Sequence, residues 1–299
     1  MWNGRLSKKS FSPITKARRY SKMFAEFKHT VRRLRGQIIG WSLGLGLYGL
    51  LMVSLYDSIV AIEGIEELFA SYPPELLAFF GDAMTAFTSP EGYIDLYYFL
   101  YMPIIIGIFA ASAGANLLVG DEEKGRLDLI MSYPVSRTAL FWGRWLGFMT
   151  ATAVILIISW LSWVIPAGSV GLELTWLELL RPFIPLFAIL LLVGGLALLL
   201  SFLLPSARMA TMLGSSLLVG NFLLDGLANV NEDLKNITEY LPLHFHQGGA
   251  AITGLNWAWL FGLLAVSLVC ASLAWLRFQQ RDIRVGGEGS WQFALPWKK

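Results

Sequence analysis

Six long apolar runs, almost free of charge, divide the chain at about Gln37–Tyr56, Tyr97–Val119, Phe141–Ile165, Pro182–Leu204, Met209–Leu224 and Asn256–Leu276. Runs of roughly 20 apolar residues match the hydrocarbon thickness of a bilayer. In lipid the backbone must bond to itself, so each run predicts a helix. The expected fold is all-α: a polytopic membrane protein with six transmembrane helices over 37–276, a basic arm over 1–36 and a tail over 277–299. Within the arm, Tyr20, Phe24, Phe27, Val31 and Leu34 recur at helical spacing with Lys and Arg around them. Such a face beside a span predicts an amphipathic helix lying in the headgroup layer. Between the first two runs, segment 57–96 alternates acids with Leu68, Phe69, Leu76, Leu77, Phe79 and Phe80, broken at Pro73-Pro74. It predicts one or two short helices on the outer leaflet. Segment 226–255 is more polar and turns through Leu241-Pro242-Leu243 into Gly248-Gly249.

Composition sharpens this picture. Hydrophobic residues are 56% and charged residues 15% of 299 positions, where a soluble domain carries about a quarter charged. The net charge of +2 says little, but its distribution sets the topology. If the first span leaves the cytoplasm, the inside segments hold 11, 4, 1 and 5 basic residues, leaving only Arg181 and Lys235 outside. Lys and Arg stay cytoplasmic, so both termini are expected inside. The first outside segment carries eight acids and no base. The first run is too long for a signal-peptide core and lacks a small-residue cleavage site. Cys270, the single cysteine, excludes an intrachain disulfide. Small residues at Gly40, Gly44, Gly46, Gly49, Gly107, Ala111, Ala115 and Gly194-Gly195 allow close helix approach.

The candidate chemistry lies in the inside loop 120–140, which runs Asp121-Glu122-Glu123-Lys124-Gly125-Arg126-Leu127-Asp128-Leu129-Ile130-Met131-Ser132-Tyr133-Pro134-Val135-Ser136-Arg137. It predicts a short helix with the acids at its start, where the helix dipole favours negative charge, and Pro134 at its end. Leu127, Ile130 and Met131 share a face that either meets a partner protein or packs on the chain's own cytoplasmic ends. The stretch resembles the signature of type-2 ABC transporter permeases, in which an acidic pair and glycine lead through Leu-acid-Leu to Pro-Val-Ser-Arg. Glu123, Gly125, Leu127, Asp128, Leu129, Pro134, Val135, Ser136 and Arg137 carry the match, and Arg126 departs from it.

That resemblance implies a coupling helix seated on a separate ABC ATPase, with Glu122, Glu123, Gly125, Leu127, Asp128, Ile130, Met131, Pro134 and Arg137 at the contact. It also implies a second permease as homo- or heterodimer, a bacterial cell membrane location, and export. The chain has no G-x-x-x-x-G-K-[ST] and no Gly-Lys pair, so ATP and Mg are expected on the partner, with no cofactor, metal site or catalytic set here. No nucleic-acid partner is expected. His244-Phe245-His246, with Glu239 nearest, falls short of the three or four ligands zinc requires. Asn116 and Asn221 read as interhelical hydrogen-bonding groups. Other function classes are a secondary transporter, whose midplane ionisable groups are missing, and a membrane assembly or immunity factor of the same fold. The apolar spans suit a dimer seam and an amphiphilic cargo.

Overall fold

The computed structural model describes residues 13–81, 86, 88–133 and 135–281. Among these the protein is all-α, and six helices are long and apolar enough to cross a membrane: Lys22–Val60, Pro90–Ala115, Arg137–Ala167, Trp176–Leu203, Ala207–Val230 and Trp257–Gln280. Each of the six apolar runs forms one of them. The elements are α1 (Pro13–Val60), α2 (Ile65–Ala70), α3 (Pro74–Phe80), α4 (Pro90–Ile94), a π-helical turn (Asp95–Phe99), α5 (Met102–Ala115), α6 (Val119–Glu122), α7 (Leu127–Ser132) and α8 (Arg137–Ala167). They continue with α9 (Trp176–Leu180), α10 (Phe183–Leu203), α11 (Ala207–Val230), α12 (Lys235–Thr238) and α13 (Trp257–Gln280).

The starts of the later spans have a local cause. Ser89, Ser136, Thr175, Ser206 and Asn256 each accept a hydrogen bond from a backbone N–H in the first turn that follows, satisfying donors that a helix cannot satisfy itself. At Thr175 the Glu178 side chain completes a capping box. The second span therefore opens at Pro90, earlier than the apolar run suggested, and passes through the π turn before α5.

Packing follows apolarity. Helix α10 is apolar on every side and largely buried, as expected of a central helix. It packs on α5, α11 and α13, while α1 lies along α8. The α1–α8 pair runs parallel, because Met23–Phe27 meet Gly143, Thr30 meets Gly147, and Gly49 meets Ser162 and Trp163. A Cβ on Gly143 would fall 2.6 Å from the Met23 carbonyl; glycine is what permits the approach. Gly40 and Gly44, by contrast, have nothing within 4 Å of an added Cβ, so this face of α1 turns away from the bundle while Ser42 and Leu45 stay buried.

The arm differs from a separate helix beside the span. From Pro13 it is one helix with the first span, about 72 Å long at 1.5 Å per residue. Its apolar face is divided: Leu34 is buried, Phe27 and Val31 are half-buried, and Phe24 is 64% exposed. The Tyr20 side chain lies outside the described residues.

Candidate functional site

The loop between the second and third spans is built as a knuckle. Helix α6 ends where Gly125 turns into the left-handed region (φ 64°), a conformation that costs glycine little. The turn is closed by Gly125 N–H to Glu122 O at 2.9 Å and Arg126 N–H to Asp121 O at 2.9 Å. Only then does α7 begin. The acids Asp121, Glu122 and Glu123 thus precede the α7 helix, and only Asp128 sits in its first turn.

Each of those acids holds a different span. Asp121, 4% exposed, accepts from Arg33 of α1 at 2.8 Å and from Arg144 of α8 at 2.7 Å. Arg144 is 1% exposed and also donates to Leu117 O at 2.8 Å, with Glu26 of α1 at 3.4 Å. Arg33 reaches on to Asn116 O at 3.2 Å. Two cations face two carboxylates, so the buried group is formally neutral. Buried charges persist when paired and hydrogen-bonded in this way. Glu122, 5% exposed, pairs with Arg281 at the end of α13 at 3.3 Å, and Arg281 donates to Phe202 O at the end of α10. Glu123 accepts the Ala207 N–H at 2.7 Å, satisfying a free donor at the start of α11.

Arg137 closes the same end. Its guanidinium donates to the carbonyls of Phe278, Gln279 and Arg281 at 2.9, 3.1 and 2.6 Å and lies over the Phe278 ring. A cation on the last carbonyls of a helix satisfies acceptors and complements the dipole. One loop thereby grips α1, α8, α11 and the end of α13, and Arg281 carries the contact on to α10.

The α7 face is turned the other way from the outward apolar stripe of Leu127, Ile130 and Met131. Leu127 is 1% exposed and belongs to the bundle's core, with Ile130 and Met131 packed half-buried against it. The side free of the bundle carries Lys124, Asp128, Leu129, Ser132 and Tyr133; Leu129 is 67% and Tyr133 69% exposed. The reason is the Gly125 turn, which rolls Leu127 under the loop. Pro134 lies outside the described residues. Arg144 and Asp121, the centre of the charge cluster, were missed in sequence; the available signal was an arginine inside an apolar run, which requires a partner.

At the other end, Asn221 accepts the Leu243 N–H at 2.9 Å, pinning the segment above α11 rather than another span. Asn116 donates within its own helix to Ser112 O. No group of three or more His, Cys, Asp or Glu able to hold a metal occurs among the described residues. His246 is neutral at pH 7: burial pushes its imidazole down to about 4.

Six spanning helices knotted at one end by a buried charge cluster define a multi-pass membrane protein. The model of the ABC-2 family transporter protein matches residues 25–283, and the chain belongs to that family. It is an ABC transporter permease. No curated protein matches the chain.

Proposed function

We propose that the chain is the membrane subunit of an exporter, working as a pair of permeases with ATP and Mg held by a separate ABC ATPase subunit. The observation that carries this reading is the knuckle: a short helix with Leu129 and Tyr133 outward, following directly on the acids Asp121, Glu122 and Glu123, which are tied by ion pairs and a backbone cap to α1, α8, α11 and the end of α13. A push on α7 reaches those helices through the Gly125 turn, which is closed by the Gly125 and Arg126 N–H bonds to Glu122 and Asp121. Exposed apolar side chains on so short a helix call for a protein partner. The export direction rests on what the resemblance to type-2 ABC transporter permeases implies, and the charge distribution supports both termini in the cytoplasm.

The test is co-purification of an ATPase encoded beside this chain. Leu129→Asp and Tyr133→Asp should release it while the permease still elutes as folded protein. Lys124→Gln should cost little, because Lys124 is exposed and exposed substitutions usually stay within about 0.5 kcal/mol. Undiminished recovery of the ATPase with the Leu129→Asp/Tyr133→Asp double variant would overturn the coupling role of α7.

A further inference from the structure

At the end of the bundle away from the knuckle lies a cavity of about 370 Å³, within the size range of small-molecule sites. Two carboxylates line it: Asp95 from the π turn of the second span and Asp225 from α11. Phe79, Phe99 and Phe222 form aromatic wall around them, and the lining contains no Lys or Arg. His246 also lines it; being neutral at pH 7, it supplies no balancing charge. Its Nδ1 is shut off from solvent with no hydrogen-bond partner.

The carboxylate of Asp95 is built into place. Its Oδ1 accepts the Gly249 N–H at 2.6 Å. Gly248 takes φ 49° beneath it, and a Cβ on Gly249 would lie 2.8 Å from the Glu91 carbonyl. The π turn that carries both Asp95 and Phe99 is a feature often found at functional sites. Asp225 makes no hydrogen bond to a described residue.

His244 stands beside Asp225, but no Lys or Arg lines the cavity, and two acids there favour a positive occupant. The aromatic rings narrow its class. No group of three or more His, Cys, Asp or Glu that could hold a metal occurs among the described residues, whereas an organic cation gains from ring faces as well as from carboxylates. We propose that this cavity binds an organic cation of small-molecule size, an ammonium or amidinium group on an apolar body, as cargo or as its analogue on the exit side. The charge seats between Asp95 and Asp225, and the body lies on the phenyl rings. This deepens the exporter reading and rests on it for direction.

The full chain in lipid nanodiscs, with and without its ATPase, is titrated with benzyltrimethylammonium, with benzyl alcohol and Ca²⁺ as the other probes. Asp225→Asn and Phe222→Leu should each weaken benzyltrimethylammonium at least tenfold, and Glu232→Gln, an exposed acid outside the cavity, should leave it unchanged. Benzyl alcohol should bind no tighter to wild type than to Asp225→Asn. Should Asp95→Asn fail to fold, Asp225→Asn carries the test alone. Equal affinity of wild type and Asp225→Asn, tighter binding of benzyl alcohol than of the cation, or Ca²⁺ displacing the cation through the same carboxylates would each overturn the proposal. ATPase co-purification from the same preparations separates the two readings. Retained ATPase with no cation binding overturns only the cavity, and cation binding with no ATPase overturns only the coupling.

Discussion

Arg144 shows what one residue does when its charge is buried between helices. Its partners Asp121, Glu26 and the Leu117 carbonyl belong to α6, α1 and the turn after α5. Removing one member of a buried pair leaves the other charge unpaired, at a cost of about 3–5 kcal/mol. Arg144→Gln should therefore lower the unfolding free energy in micelles by that order, and an unchanged denaturation midpoint would refute the role given to the cluster. Gly125 acts through the backbone instead: at φ 64° an L side chain costs about 1–2 kcal/mol, so Gly125→Ala should be milder than Arg144→Gln. His246 makes the pH test. Its folded pKa of about 4 lies below the ordinary 6.5, so the unfolded chain takes up the proton first. Its contribution to stability is complete above pH 6.5, falls as pH drops through that window, and is gone below about 4. His246→Gln should flatten the stability profile between pH 6.5 and 4; an identical slope in the variant would refute the burial of a neutral ring.

At the scale of elements, α7 separates what its sequence discloses from what it withholds. Its existence, its place between the second and third spans and its contribution to the permease signature are legible, because acids, glycine, apolar residues and proline follow one another at helical spacing. Which face meets the bundle is not legible. Periodicity groups Leu127 with Ile130 and Met131 but is blind to rotation, and the Gly125 turn sets that rotation. Leu127→Ala should thus cost about 2–5 kcal/mol, as for a buried leucine, measured on the permease without any ATPase. Leu129→Ala should leave that stability within about 0.5 kcal/mol, as at an exposed position. The reverse order would put the α7 faces back where periodicity alone placed them. The same blindness explains the ion pairs: Arg33, Asp121, Arg144 and Arg281 are far apart in sequence, and only the folded loop brings them together.

For the whole molecule, six spans and their order follow from apolar length, and the asymmetry of basic residues predicts which end faces the cytoplasm. The packing agrees with an alternating path through the membrane, since Arg33, Asp121, Arg144, Glu123 with Ala207, and Glu122 with Arg281 meet at one end. Contacts of Tyr93 with Met52, Arg181 with Ile252, and Asn221 with Leu243 gather at the other. What apolar length could not give is the hub: α10 is central because it is apolar on all sides, whereas α1 keeps a face open at Gly40 and Gly44. Sidedness can be read directly. In a Cys270→Ala background, single cysteines at Ser71 and Glu232, both exposed on the outer segments, should react with an impermeant maleimide in intact cells. Cysteines at Ser132 and Ser136, exposed on the knuckle, should react only after the membrane is opened. Moving Lys and Arg across a membrane is costly and the rule that retains them is kinetic as well as energetic, so labelling of Ser132 in intact cells would invert the protein and place α7 beyond the reach of any cytoplasmic ATPase.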